Sequence, residues 1–262
     1  MQMCNIFYNR QRRCYVANIL QTILAYLSMD LYLQTMRILL TIVFILFSVV
    51  FSYGQQLGQV TFNNGSTLAY FSFITEQGVL VRVSAEGKIL EWGTEVLADH
   101  YDFYARKLQP FMGRVEYYGT QDDSVFRGKV KSIGTCFFTY YDTFQVKTKI
   151  GKLRSIGNQY LDYFEGYEDK MLQGRLKTVG ALAIDYYRSY ENESCRGKLK
   201  SVGSLPVTYY SVFDDRVNAG KLKSIGSVNY LWYSLGDRTE MRGALKSRNY
   251  RQVISGVTYI LN

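Results

Sequence analysis

Gly128, Gly151, Gly174, Gly197, Gly220 and Gly243 follow one another at an unbroken interval of 23 residues. Each opens a version of one phrase, from Gly128-Lys-Val-Lys-Ser-Ile-Gly134 to Gly220-Lys-Leu-Lys-Ser-Ile-Gly226, and an aromatic pair begins twelve residues after each of the first five. Glycine makes up about 7% of an average chain, so chance does not hold six in this register. Residues 128–248 are therefore a tandem array, in which each unit buries its apolar face by stacking on its neighbours.

With each repeat glycine counted as position 0, positions 1 to 5 most often read Lys, Leu, Lys, Ser, Ile, and position 6 is Gly in five of the six units. Positions 8, 10 and 12 carry Cys136, Phe138, Tyr140, then Leu182, Ile184, Tyr186, then Leu205, Val207, Tyr209. Alternation of period two, β-branched and aromatic residues and bounding glycines predict two strands and a turn per unit. The fold class is all-β: tandem 23-residue β-hairpin repeats forming an extended, twisted antiparallel meander, with a β-solenoid as the alternative. A solenoid would stack Lys129, Lys152, Arg175, Lys198 and Lys221 about 4.8 Å apart in a like-charge column, which is unfavourable. A meander puts a second strand between them and favours rest of each cation on a ring of position 13. A three-residue turn at positions 6 to 8 would pair position 2 with 12, 3 with 11 and 1 with 13, setting Arg154 against Asp162 and Lys177 against Asp185. Two residues resist that register: the Ile of position 5 falls on the charged face, and Pro206 cannot donate a ladder bond.

Gly87-Lys-Ile-Leu-Glu-Trp-Gly93 and Gly113-Arg-Val-Glu-Tyr-Tyr118 read as earlier relatives of the phrase, so the β-repeat domain spans 87–262. Thr67 to Thr75 and Val79 to Ser84 read as strands, within an N-terminal segment 55–86 joined to the same sheet. The last unit decays into a cap, with Ala244, Arg248 and Asn249 replacing Lys, Ile and Gly. A sheet of more than about ten strands is expected to twist strongly, curl or split into packed layers.

At the N-terminus, Met36-Arg37, the apolar run Ile38 to Phe51 and Ser52-Tyr53-Gly54 have the layout of a secretory signal over 36–54, cut after Gly54. Residues 1–35 form an upstream extension, and membrane contact is expected only through an uncleaved leader. Export places the chain in the periplasm, on the cell surface or outside the cell. Without residues 1–54, 27 basic side chains face 21 acidic ones, a mild and scattered excess that does not resemble a nucleic-acid arm. Cys136 and Cys195 remain, in different units and at different positions, so pairing is open.

His100 is the single histidine, and no Ser/His/Asp or Cys/His set can be assembled around more than it. Glu168-Asp169 and Asp214-Asp215 lie in polar return loops, where a solvated turn is the ordinary role. The chain is expected to be non-enzymatic, with no cofactor and no metal. Neither strand face offers the continuous apolar band of an outer-membrane barrel. The candidate binding surface is the cationic row Lys129, Lys152, Arg175, Lys198 and Lys221 with the rings Tyr141, Phe164, Tyr187, Tyr210 and Tyr233. Amphipathic rings beside charged donors suit a glycan, an anionic envelope polymer or another envelope protein. The competing expectation is a structural or scaffold role in the cell envelope, the rings packing on lysine stems.

In general plan the unit resembles the MORN repeat, although Tyr140-Tyr141-Asp142-Thr143-Phe144 has Asp142 where the central Gly of that motif would stand. Over residues 87–248 the Gly-Lys-(Leu/Ile)-Lys-Ser-Ile-Gly and Tyr-Tyr-Asp units are similar to uncharacterised secreted bacterial tyrosine-rich β-repeat proteins. That resemblance implies export and no particular activity.

Overall fold

A computed structural model describes residues 34, 36–42, 56–95 and 107–262. The chain divides into two units, Met1–Tyr53 and Gly54–Asn262. In the first, the described residues 36–42 are helical. Among the described residues no helix is long and apolar enough to cross a membrane. The proposed cut after Gly54 and His100 lie outside the described residues.

The second unit is all-β, with two open sheets around a shared core. Its first strands are β1 (Gln56–Asn63), β2 (Thr67–Ile74), β3 (Leu80–Val83), β4 (Ile89–Glu95) and β5 (Leu108–Gln109). The array supplies β6 (Val115–Tyr117), β7 (Val130–Ile133), β8 (Cys136–Tyr140), β9 (Leu153–Ile156), β10 (Gln159–Tyr163) and β11 (Leu176–Val179). It continues through β12 (Leu182–Tyr186), β13 (Leu199–Val202), β14 (Leu205–Tyr209), β15 (Leu222–Ile225) and β16 (Val228–Asn229), before β17 (Arg251–Ile254) and β18 (Val257–Leu261). Strands β6 to β16 lie side by side in sequence order as an 11-stranded antiparallel meander, which decides against the solenoid.

The 55–86 strands do not extend that meander. They join β4, β5, β17 and β18 in a 7-stranded sheet, ordered β17-β18-β1-β2-β3-β4-β5, in which β1 and β18 run parallel. The Gly87 phrase thus belongs to the second sheet and not to the array. The Gly113 segment, by contrast, is a second-strand half unit: Val115–Tyr117 pairs with β7 as β8 pairs with β9. An open sheet too long to stay flat is covered by a second layer.

The register differs from the sequence expectation by one residue. Ile156 faces Gln159 and Ser155 faces Tyr160, so position 5 pairs with 8 across a two-residue turn. Gly157 at the first turn position has φ +51° while no positive φ occurs at Asn158, the pattern of a type II′ hairpin. Toward the next unit, Asp162 faces Thr178 but Tyr163 faces Leu176, which leaves Lys177 as a bulge. The same skipped residue recurs at Lys131, Arg154, Lys200 and Lys223. A bulge reverses the alternation once, so Leu153 and Ile156, three apart, both enter the core with no exposed area. Pro206 pairs with Ser201 and contributes the carbonyl that proline keeps, accepting from Gly226 N–H at 2.8 Å.

Two turns of the smaller sheet plug into the larger one. Leu153 and Leu176 donate their N–H groups to the Gly87 and Ala85 carbonyls at 3.3 and 2.7 Å, and Leu222 donates to the Gly65 carbonyl at 2.7 Å. These donors stand at position 2, beside the bulge, where the ladder is interrupted.

Candidate functional site

The cationic row forms a chain of joints between units. Lys129, Lys152, Arg175, Lys198 and Lys221 each donate to the carbonyl of the next repeat glycine, at Gly151, Gly174, Gly197, Gly220 and Gly243. Each cation also lies over the position-12 ring of its own unit, 4.6 to 5.4 Å from the centroids of Tyr140, Tyr163, Tyr186, Tyr209 and Trp232. A Cβ on Gly174 would sit 2.7 Å from the Lys152 Nζ, and one on Gly220 would sit 2.6 Å from that of Lys198. The 23-residue glycine interval therefore has two causes, a φ of +70 to +81° at these positions and the seat of the preceding unit's cation. Burial holds the amines of Lys129, Lys152, Lys198 and Lys221 below their ordinary pKa. Lys152 further donates to the Glu86 carbonyl at 3.1 Å and Lys198 to Ser66 Oγ at 2.8 Å, tying both sheets together.

Three of the five rings of position 13 also reach the next unit. Tyr141, Tyr187 and Tyr210 donate their hydroxyls to the Leu161, Val207 and Tyr230 carbonyls of the following unit at 2.8 to 3.1 Å. The lysines at position 3, not the position-1 row, rest on these rings: Lys177 on Phe164, Lys200 on Tyr187, Lys223 on Tyr210 and Lys246 on Tyr233, at 5.3 to 5.6 Å. Arg154 stacks on Tyr141 at 5.9 Å and does not pair with Asp162, whose partner is Lys149 at 2.7 Å. Lys177 likewise pairs with Glu168 at 2.6 Å, while Asp185 meets Arg188.

Four lysines at position 3 each close a clasp on the preceding return loop. Lys177, Lys200, Lys223 and Lys246 bind Glu168, Glu191, Asp214 and Asp237 at 2.6 to 3.1 Å. The second oxygen of each carboxylate accepts the N–H three residues earlier, at Glu165, Arg188, Ser211 and Ser234. The acidic pairs of the sequence thus brace the loops. Burial would raise Glu168 and Glu191, but their lysine partners outweigh it and hold both below the usual carboxylate range. The Lys223 ammonium depresses Asp214, and the Ser234 N–H with Lys246 depresses Asp237. Because these folded-state pKa values lie below the unfolded ones, the clasps stabilise the fold above the ordinary carboxylate pKa and are lost as pH falls. Urea stability is expected to drop below about pH 4, and Asp214→Asn with Asp237→Asn should flatten that drop. An unchanged slope in the double variant would remove the clasps from the acid transition.

A cleft of about 400 Å³ opens at the seam of the two sheets, lined by Lys88, Trp92, Tyr117, Lys129, Tyr140 and the backbone of Gly128 and Gly151. Cys136 and Cys195 are buried and unpaired, and burial pushes the Cys136 thiol up to about 11. Among the described residues no three His, Cys, Asp or Glu side chains gather as metal ligands would.

Sequence reasoning missed a further column. Phe144, Tyr167, Tyr190 and Phe213 all stand at position 16, at the outer bend of successive return loops, and 82 to 97% of each is exposed. The signal was present as aromatic residues at the repeat interval, inside segments that otherwise read as polar. Comparison with protein-family models, curated proteins and solved structures finds no match to this chain.

Proposed function

We propose that the chain is a non-enzymatic structural or scaffold protein of the cell envelope, exported to the periplasm, the cell surface or the exterior. The observation that supports it is the use made of the polar side chains. Every member of the Lys129 to Lys221 row is spent on the carbonyl of the next unit, which stiffens the array and leaves these groups half-buried. Export rests on the leader-like segment 36–54.

The second reading, binding of a glycan, an anionic polymer or a protein partner through the same rows, draws support from the cleft, where Lys88 and Lys129 meet three aromatic rings. Arg175→Met and Lys198→Met separate the two. A scaffold joint should lose about 1.5–3 kcal/mol of urea stability per variant, the range of a charged hydrogen bond, with retention on isolated envelope unchanged. Full stability with weakened retention would transfer the rows to binding. Fractionation of cells and sequencing of the N-terminus of the recovered protein test the export half directly.

A further inference from the structure

We propose that the return-loop rings Phe144, Tyr167, Tyr190 and Phe213 form a ladder that binds an extended, β-linked neutral glycan chain. The inference stands on the loops alone and does not depend on the envelope scaffold reading.

Antiparallel order places all tight Gly turns at one end of the meander and all return loops at the other. Successive loops are two strands apart, so the rings recur at a step of roughly 10 Å, twice the strand spacing. The clasps of Glu168, Glu191 and Asp214 fix three of these loops and pair those three carboxylates with lysine. Tyr167, Tyr190 and Phe213 are therefore presented by braced loops, at 82, 83 and 97% exposure.

The spacing selects the ligand. Along the chain the rings are separated by polar residues such as Glu168 and Ser189, and the apolar side chains nearest them, Val146, Met171 and Val212, are only about half exposed. A helix needs a continuous apolar groove, and an extended peptide repeats same-face side chains every ~6.6 Å, out of step with the loops. A β-linked glycan has apolar C–H faces separated by hydroxyls and returns to the same face at each disaccharide, close to the ladder step. An amphipathic ring stacks on such a face while its edge stays wet. Four rings on alternate sugars would engage a chain of about seven.

The test is calorimetric titration of the full chain with cello- and chito-oligosaccharides of increasing length. Affinity for at least one series is expected to rise with each added disaccharide and to level off once the ladder is spanned. Each single ring-to-Ser variant should weaken it about two- to tenfold, as one aromatic contact does. The combined variant F144S/Y167S/Y190S/F213S should abolish binding while its urea midpoint stays at the wild-type value, since the rings are exposed. Absence of binding to both series, affinity independent of length, or unchanged binding by the combined variant would overturn the proposal. So would ring-dependent capture of lipid vesicles in place of sugars.

Discussion

A chain ending at Gly256 is expected not to fold. Residues 257–261 form β18, which lies between β17 and β1 in the smaller sheet, and Tyr259, Ile260 and Leu261 are buried to within 2% of completely. At about 1.5–3 kcal/mol per buried side chain, their removal forfeits roughly 5–9 kcal/mol, within reach of the whole stability of about 5–15 kcal/mol of an ordinary domain. It also opens two paired strand edges at once and frees the carbonyl of Phe62 and the N–H of Asn64, which bond the backbone of Asn262. Circular dichroism and limited proteolysis of the shortened chain should report a non-cooperative, protease-sensitive state. Cooperative unfolding near the midpoint of the longer chain would show that β18 is dispensable.

The second large effect concerns the plug between the sheets. Gly87 has φ +78°, and a Cβ there would overlap the ring and hydroxyl of Tyr163, itself fully buried and donating to the Leu153 carbonyl at 2.6 Å. Gly87→Ala is expected to cost about 2–5 kcal/mol, the sum of a left-handed backbone penalty and overpacking. Gly78→Ala is the control: φ is +72° and nothing lies within 4 Å of its added methyl, so only the backbone part, about 1–2 kcal/mol, should appear. Equal losses in the two variants, read by urea unfolding, would dismiss the plug as an energetic contact.

Much of this was legible in the glycines and the alternating residues. The hairpin unit and the antiparallel meander follow from spacing and period two. The register did not, because the glycine spacing leaves the length of the tight turn open, and the turn holds two residues where three were expected. Yet Leu at position 2 and Ile at position 5, apolar at an odd separation, already required one reversal, which the bulge at Lys177 and its equivalents supplies. The Gly87 phrase misled for a related reason: it copies positions 0 to 6 but lacks the aromatic pair at 12 and 13 that seats a cation. Of the candidate site, the rows were visible while their partners were not. A backbone carbonyl is the same in every residue, so no sequence marks the Gly174 oxygen as the destination of Lys152. The loop column escaped because it is seen only by aligning units, not by reading along one.

The cation of one unit seats on the glycine of its successor, so every copy carries one half of a joint at each end. Gene duplication of a whole copy then delivers a compatible male and female fitting together, and growth or shrinkage of the series needs no compensating change at the new junction. What limits its length is the other layer, whose two turns dock at the Lys152–Leu176 and Lys198–Leu222 junctions and cover a fixed span. Units added beyond that span would meet solvent on the face that is now lined with leucine and tyrosine.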